Sequence, residues 1–224
     1  MTVKTEPITI NLGPQHPSTH GVFRFRVTFD GEKIIDLEPI LGYLHRGSEK
    51  LAEERTYTQV VTLTDRMDYV SSMLSNQGYI LAVEKLCSIS PSPRGVWMRM
   101  IAAELQRIAS HMVAIGFLLQ DLGSLGTPLI YTMREREKVL TMFEMLCGAR
   151  ITNTYVRPGG VFMDAPEEFW PALREFLDEV PLRIDDLEDM LTGNEIIFSR
   201  TKDIAKLTPK QMINASITGP MLRA

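Results

Sequence analysis

The pattern of apolar and polar positions changes its period once along the chain, near residue 40. Residues 8–12 and 23–29 alternate apolar with polar, and Asp30-Gly31 leads into another apolar run at 34–37. Alternation with period two is typical of half-buried strands, and Asp-Gly between two such runs indicates a hairpin with a type I′ turn. Residues 1–41 are therefore predicted to form a small antiparallel β-sheet.

From Pro39 onward the apolar residues recur with a helical period. The strongest start signals are Ser92-Pro93 and Thr127-Pro128, where an N-cap residue precedes proline at the first helical position. Pro181 should kink a late helix. The predicted helices cover residues 49–55, about 65–86, 93–122, 127–147, about 166–191 and a short segment from 208. The fold class is α+β, mainly α, with an antiparallel helical bundle over residues 42–224.

The helix from residue 93 should be central to this bundle. Its apolar residues at helical spacing give a long stripe that should face inward. The segment after Ile108 is apolar nearly all round. The stripe comprises Trp97, Ile101, Leu105, Ile108, Met112, Ile115 and Leu119.

Composition excludes several classes of function. The net charge of −4, without a basic tract, is unfavourable for nucleic-acid binding. The longest apolar run, residues 112–119, is far shorter than a membrane span, so we expect a cytosolic chain or one that partners hold at a membrane. Cys87 and Cys147 have no metal-ligand spacing around them and are predicted to be reduced core thiols.

A rigid polar loop at residues 13–21 (GPQHPSTHG) holds two of the four histidines. Prolines fix φ and glycines permit close approach, so this loop should hold its histidines in place. His16 and His20 are four residues apart, but Pro17 removes the helical interpretation that would make them paired metal ligands, and no third ligand is evident. The alternative is that both imidazoles hydrogen-bond their own loop.

Asp121 weakens that alternative. It lies at the C-terminal end of the most hydrophobic helix, where the macrodipole disfavours a carboxylate by about 0.3–1 kcal/mol. Such a carboxylate needs a cationic or donor partner, and a histidine would suit it. A solvent-exposed Asp121 is the other interpretation. Tyr69, predicted in the first turns of a helix, and the charged Arg46 and Arg66 have equally ordinary interpretations as a packed aromatic and ion-pair partners.

Taken together, these segments resemble one family, that of the D subunit of NADH-quinone oxidoreductase (respiratory complex I), which is related to the large subunit of nickel-iron hydrogenases. The resemblance covers essentially the whole chain, in the family's order. It rests on residues 13–21, 42–51 (GYLHRGSEKL), 65–69 (DRMDY), 104–105 with 110–111, 134–137 (RERE) and 157–161 (RPGGV).

The resemblance implies roles for individual residues. The family histidine and tyrosine at the positions of His20 and Tyr69 hydrogen-bond the two ends of a quinone headgroup, and the aspartate at Asp121 pairs with that histidine. Thr19 would also line the quinone. Two donors near the two carbonyl oxygens suit a reaction that needs two electrons and two protons. Release of the imidazole proton would loosen the His20–Asp121 pair, a first step in signalling to the proton-pumping partners.

The resemblance also implies cofactors and partners. Arg46 and Arg66 match arginines near the terminal iron–sulfur cluster, which a neighbouring subunit carries, and this chain alone should bind neither a metal nor a cofactor. The expected partners are that iron–sulfur subunit, other peripheral-arm subunits, membrane-arm subunits and quinone. The expected place is the cytoplasmic face of the cell membrane, where partner subunits would hold the chain peripherally. The implied function is electron transfer to quinone, coupled to ion translocation.

Three departures from the family pattern matter. Residues 66–71 (RMDYVS) lack both cysteines of the hydrogenase motif Arg-x-Cys-Gly-x-Cys, which argues against a hydrogenase-like large subunit. Thr152 replaces a histidine that many members carry near the cluster, which leads to the hypothesis of a low-potential quinone such as menaquinone. The chain also resembles only the N-terminal half of the family domain, so the rest of the bundle is expected to be missing and some apolar surface exposed.

Two alternatives stay open on the sequence alone. A non-catalytic structural adapter of a membrane-bound redox complex would keep the same fold and motifs. The electron donor could be NADH, ferredoxin or deazaflavin, because all of these complexes use this subunit.

Overall fold

The computed structural model describes residues 6–15, 22–124 and 126–219. It divides into two compact units, Met1–Thr56 and Tyr57–Ala224, which are described separately below. The described chain is mainly helical with a small antiparallel sheet, so the predicted fold class is confirmed.

The first unit is built on a three-stranded sheet in the order β1-β2-β3. Both strand pairs are antiparallel, and Val27 on the central strand lies opposite Ile10 on one side and Leu37 on the other. Val27 is buried, whereas Ile10 and Leu37 are about half exposed at 45% and 52%. The elements are β1 (Ile8–Leu12), β2 (Arg24–Asp30), β3 (Lys33–Ile40) and a short helix α1 (Ser48–Glu53).

The hairpin forms where the Asp-Gly signal predicts it, but the predicted turn type is wrong. Asp30 pairs with Lys33, so the loop is Gly31-Glu32. Gly31 has φ 62°, whereas Glu32 is not among the residues with positive φ. A type I′ turn needs positive φ at both positions, and a turn with glycine first and an ordinary second residue is of the II′ kind.

The second unit is a helical assembly around the long helix α4. Its main apolar core joins α4, α5 and α6, with Phe143, Phe169, Phe176 and Tyr155 among its largest fully buried side chains. The elements are α2 (Tyr57–Thr64), α3 (Ser72–Cys87), α4 (Pro93–Asp121), α5 (Thr127–Cys147), β4 (Val156–Arg157), β5 (Gly160–Val161), α6 (Phe169–Thr192), α7 (Glu195–Thr201) and α8 (Pro209–Asn214).

Local signals set several helix ends as predicted. The Ser92 hydroxyl accepts a hydrogen bond from the Gly95 N–H and caps α4. α5 ends at Cys147 before Gly148 as predicted, but its N-cap is Gly126 without a side-chain cap, so the prediction of Thr127 as the N-cap is wrong and Thr127 is the first residue of the helix. Pro181 lies inside α6, and a Thr208–Gln211 capping box opens α8. Helix α7 is an addition to the predicted elements.

The predicted helix start at Asp65 is wrong. α2 ends at Thr64, residues 65–71 form irregular turns, and α3 begins at Ser72. Tyr69 is therefore in a connecting turn and not in a helix. Two apolar residues of the helix predicted at about 65–86, Met67 and Leu86, are exposed at 69% and 68%.

The inward face of α4 also differs from the predicted stripe. Trp97 and Ile115 are exposed, whereas Leu105, Met112 and Leu119 are buried as expected. The buried face also includes small residues that let neighbouring elements approach closely, namely Ala102, Ala103, Ala109 and Gly116.

The two cysteines differ from each other in burial. Cys87 is exposed, so the prediction of a core thiol is wrong there, because the end of α3 that carries it is not covered by the rest of the unit. Cys147 is half-buried at the end of α5. Both thiols are free, as predicted.

Candidate functional site

The predicted site residues are distributed between the two units and the undescribed loop. His20 and Thr19, together with His16, lie outside the described residues. Arg46 belongs to the first unit, whereas Arg66, Tyr69 and Asp121 belong to the second.

The entrance to the histidine loop is sterically fixed at Gly13. Its φ is 89°, and a Cβ atom there would lie 2.0 Å from the Phe23 carbonyl oxygen. Only glycine fits such a position, because it combines a left-handed conformation with contact against neighbouring backbone. The chain therefore enters the loop in close contact with the start of β2.

Arg24 connects the strand before this loop to the segment that carries Arg46. Its guanidinium donates to Asn11 Oδ1 at 3.0 Å and to the Tyr43 hydroxyl at 2.9 Å. The Gly42 carbonyl accepts a hydrogen bond from the His45 N–H at 3.1 Å, which closes a turn immediately before Arg46. Arg46 itself is exposed.

Tyr69 presents an accessible phenol on an anchored turn. Its side chain is 64% exposed, and within the described part of the chain its hydroxyl has no hydrogen-bond partner. The next residue is held firmly, because the Gln106 amide donates to the Val70 carbonyl at 2.7 Å. Ser71 Oγ and Ser110 Oγ are 3.0 Å apart. α4 thus fixes the backbone on one side of the phenol.

A buried polar network supports the start of α3 next to this turn. The Asn76 amide donates to the Asn153 carbonyl at 2.8 Å, and the Thr64 hydroxyl donates to Asn76 Oδ1 at 2.8 Å. Ser72 Oγ donates to Asn153 Oδ1 at 3.1 Å and accepts from the Asn153 N–H at 3.3 Å. Since these groups are buried, each bond avoids the cost of an unpaired polar atom.

Asp65 and Arg66 form an ion pair in which the two side chains differ in exposure. The Asp65 side chain is almost fully buried, whereas that of Arg66 is half exposed. Arg66 Nη1 donates to Asp65 Oδ1 at 3.0 Å and to the Thr62 carbonyl at 2.5 Å. Burial raises the pKa of the Asp65 carboxyl, and the neighbouring Arg66 opposes that rise. The pair gives the Arg66 guanidinium a defined place at the end of α2.

Asp121 is the last residue of α4, as the sequence predicts, and its side chain is exposed. The helix end beside it is well capped. Ser124 Oγ donates to the Leu119 carbonyl at 2.6 Å, and Arg200 Nη1 of α7 donates to the Leu122 carbonyl at 3.2 Å. A cation at a helix C-terminus offsets the macrodipole that disfavours a carboxylate there.

Helix α4 places Tyr69 and Asp121 relative to each other. The turn packs against α4 at Gln106 and Ser110, and Asp121 lies eleven residues beyond Ser110. At 1.5 Å per residue this is about 16 Å along the helix axis. The turn that carries Tyr69 and the Asp121 carboxylate are therefore separated along the same helix.

A large cavity lies elsewhere on the same helix. It has a volume of about 420 Å³ and is lined mainly by apolar residues of α4, α5 and α6, including Ile108, Ile115 and Leu187. Ile108 and Ile115 are two and nine residues from Gln106, which is about half a turn around the helix. The cavity therefore opens on the face of α4 opposite the Tyr69 turn and is separate from the candidate site.

A buried ion pair that the sequence pattern does not predict fixes the other end of α4. Arg99 donates to both Glu84 carboxylate oxygens at 3.0 and 2.6 Å, and to the carbonyls of Arg157 and Gly160. Hydrogen bonds from Arg99 and from the Gly159 N–H hold the pKa of Glu84 below its ordinary value, against the effect of burial. The available signal in the sequence is the spacing of Arg99 and Gln106, seven residues apart on a face otherwise rich in alanine.

Metal ligands and membrane-spanning helices are both absent from the part of the chain that the structure describes. Residues 6–15, 22–124 and 126–219 contain no group of three or more His, Cys, Asp or Glu side chains arranged to hold a metal ion. No described helix is long and apolar enough to cross a bilayer.

Comparison with known proteins shows which proteins the chain is similar to. The profile described as "Respiratory-chain NADH dehydrogenase, 49 Kd subunit" matches residues 121–224. The protein named as the D subunit of NADH-quinone oxidoreductase in Dehalococcoides mccartyi strain 195 is 54% identical over all of this chain. Proteins of the same name from Desulforamulus reducens and Clostridium beijerinckii are 50% and 51% identical over 100% and 98% of it.

The chain spans about 60% of the length of these curated relatives, at 61%, 61% and 59%. The resemblance carried by residues 13–21, 42–51 and 65–69 is thus confirmed over the full chain. Over its whole length the chain is similar to proteins named as the D subunit of NADH-quinone oxidoreductase, and its residues 121–224 match the profile of the 49 Kd subunit family.

Proposed function

We propose that this chain forms part of the quinone-reducing site of an NADH-quinone oxidoreductase. In this proposal residues 1–41 supply the quinone-site loop and residues 42–224 supply part of a helical bundle like that of nickel-iron hydrogenase large subunits. His20 and Tyr69 bind the two ends of the quinone headgroup, Thr19 lines it, and Asp121 pairs with His20. The observation that carries the proposal is the exposed, unpartnered Tyr69 phenol, within the described residues, on a rigidly anchored turn.

The chemistry requires two electrons and two protons for each quinone reduced to quinol. The electrons come from an iron–sulfur cluster in a neighbouring subunit. Tyr69 donates a hydrogen bond and then a proton to one quinone oxygen, and His20, as imidazolium, does the same at the other. Both groups regain their protons from solvent, so the atoms and charges balance after each turnover.

Asp121 stabilises the charged form of His20 while the proton is present. Once His20 gives up its proton, the attraction between the pair weakens and Asp121 is released. This release is the event that we assign to signalling toward ion-translocating partners. The exposed position of the Asp121 side chain at the end of α4 supports this assignment, because an exposed carboxylate can change its partner without disturbing the core.

Arg46 and Arg66 are proposed to face the cluster of the neighbouring subunit. Positive charge near a cluster favours its reduced form. Both residues are exposed, which suits a role at a subunit boundary. The partners proposed are that iron–sulfur subunit, further peripheral-arm subunits and membrane-arm subunits, with the complex at the cytoplasmic face of the cell membrane.

Thr152 bears on the type of quinone. It occupies the position where many family members have a cluster-proximal histidine, and it takes a left-handed conformation with φ 54°. Without an imidazole the cluster potential should depend weakly on pH, which suits a low-potential acceptor such as menaquinone. A strongly pH-dependent terminal cluster in a redox titration of the assembled complex would contradict this part of the proposal.

The test replaces the proposed donors in the assembled complex. Tyr69→Phe and His20→Ala are each expected to lower quinone reduction by about 10²-fold or more, the usual worth of a general acid. Tyr131→Phe, at another partly exposed tyrosine of the second unit, serves as the control and should change little. Reduction of an artificial acceptor upstream of the quinone reports on assembly. Unchanged quinone reduction in both site variants would contradict the proposal and would leave only the interpretation of this chain as a structural adapter.

A further inference from the structure

We propose that Gln106 is a positioning residue for Tyr69, one that holds the backbone of the turn so that the phenol meets the quinone. The proposal rests on the proposed function of Tyr69 and extends it to a residue of α4. It begins from the contact between the Gln106 amide and the carbonyl of Val70, the residue that follows Tyr69.

The phenol has no side-chain anchor of its own. Within the described part of the chain its hydroxyl is unpartnered, and its side chain is 64% exposed. Its position is therefore set by the backbone that carries it. That backbone is irregular from residue 65 to residue 71, so no helical or sheet ladder holds it.

Within the turn itself, the hydrogen bonds are few. The Ser71 N–H donates to the Asp68 carbonyl at 3.0 Å, and the Val70 N–H donates to Asp68 Oδ1 at 3.3 Å. Both bonds close the turn on itself. Backbone hydrogen bonds also join residues 65–67 to the end of α2 and Ser71 to the start of α3. The side-chain contacts from another helix to the two residues that follow Tyr69 come from α4, through Gln106 and Ser110.

The contact made by Gln106 is the stronger of the two. It is only 3% exposed, and its bond to the Val70 carbonyl is short at 2.7 Å. Ser110 is half-buried and touches a side chain, Ser71 Oγ, where a rotation about one bond breaks the contact. A buried amide that lost the Val70 carbonyl would be left with an unsatisfied donor, so the turn and Gln106 hold each other in place.

The chemistry of the amide gives a selective test. Glutamate has nearly the same shape as glutamine, but its carboxylate has no hydrogen to donate to the Val70 carbonyl. A protonated glutamic acid does have one. A Gln106→Glu variant should therefore lose the contact near neutral pH and regain it as the pH falls, whereas Gln106→Met cannot donate at any pH.

The experiment measures KM and kcat for quinone in the assembled complex, with the artificial-acceptor rate as the measure of assembly. Because burial at this position raises the pKa of the introduced carboxyl, Gln106→Glu is expected to raise KM for quinone by about tenfold near pH 7.5 and to approach the wild type as the pH falls toward about 5.5. Gln106→Met should raise KM at both pH values. Glu104→Gln, the reverse exchange at an exposed position of the same helix, is the control and should leave KM unchanged.

A double substitution separates this proposal from the one it rests on. In a Tyr69→Phe background, adding Gln106→Glu should change KM by less than about twofold, because the group that Gln106 positions is already altered. An effect of Gln106→Glu that persists in full in that background would overturn the positioning role. So would a KM equal to the wild type in both Gln106 variants while Tyr69→Phe is impaired.

If Tyr69→Phe alone leaves quinone reduction unchanged, the proposed function of Tyr69 fails instead. If the Gln106 variants do not assemble, Gln106→Asn provides the second route. It keeps an amide but is shorter by one methylene group and cannot span the distance to the Val70 carbonyl. An assembled Gln106→Asn complex with wild-type KM would likewise overturn the proposal.

Discussion

Arg99 of α4 donates two hydrogen bonds, of 3.0 and 2.6 Å, to the carboxylate of Glu84 in α3, and the two side chains are only 3% and 5% exposed. The same guanidinium donates to the carbonyls of Arg157 and Gly160, and Glu84 accepts the Gly159 N–H. One ion pair thus joins two helices to the β4–β5 hairpin.

Removing one partner of this pair should be strongly destabilising. Arg99→Met leaves the Glu84 carboxylate buried without its cation, and we expect a loss of about 3–5 kcal/mol in the free energy of unfolding. Urea denaturation followed by circular dichroism measures it. The matched control is Arg107→Met on the same helix, whose pair with Glu104 is exposed and should contribute about 0–1 kcal/mol. Equal losses in the two variants would contradict the structural role of Arg99.

Asp65 should make stability depend on pH in the opposite sense to an ordinary paired carboxylate. Its pKa is raised in the folded state, chiefly by burial, so the folded chain holds this proton more tightly than the unfolded chain does. Its contribution is present below the unfolded pKa and is lost as the pH rises through the folded pKa.

Asp65→Asn removes that ionisation. The stability of the wild type relative to Asp65→Asn should fall as the pH rises from about 4 to about 7. Urea unfolding of both proteins across this range gives the difference directly, and Glu53→Gln, at an exposed carboxylate, is the control. A difference that stays flat or rises with pH would refute the assignment.

Substitution by alanine should change the stability of the chain in opposite directions at Gly116 and at Gly78. A Cβ at Gly116 would lie 2.3 Å from Thr132 Oγ1 and 3.0 Å from Leu129 Cδ1, so α4 and α5 would have to separate. Overpacking of this kind costs about 1–3 kcal/mol, more than the gain of up to about 1 kcal/mol in helix propensity.

At Gly78 of α3, by contrast, a Cβ meets nothing within 4 Å. Gly78→Ala should therefore stabilise the chain by about 0.5–1 kcal/mol, since only the backbone entropy term remains. Thermal unfolding of both variants measures the two signs. Stabilisation by Gly116→Ala would contradict this prediction, because it would show that α4 and α5 can separate without loss of stability.

Local chemistry makes most of the elements predictable. Ser92-Pro93, Thr127-Pro128 and the capping box at Thr208 each carry their own start signal within four residues, and the structure has helices at all three. The period-two pattern likewise predicts β1 to β3. In these cases the interactions that decide the structure lie close together in sequence.

The turn at residues 65–71 is not predictable in this way. Met67 and Val70 fit a helical pattern, but Gln106 and Ser110, some 35 to 40 residues away, hold this segment in a different conformation. A contact of that separation leaves no local signal. The same reason explains why Arg99 and Gln106 look like ordinary helix positions in the sequence.

The candidate site follows in part from local signals and in part from resemblance. The helix pattern places Asp121 at the end of α4, and the structure has it there. The roles of His20, Thr19 and Tyr69 come from the family's motifs, since no spacing in the sequence connects these residues. Those roles remain predictions.

The most direct test of the quinone site is labelling with a photoreactive quinone in the assembled complex, followed by mass spectrometry of this chain. We predict label on peptides that contain Tyr69 or residues 13–21, and loss of that label when excess unmodified quinone competes. Labelling of an active complex that leaves both segments unmodified, while marking another subunit in a competable manner, would contradict the proposed site.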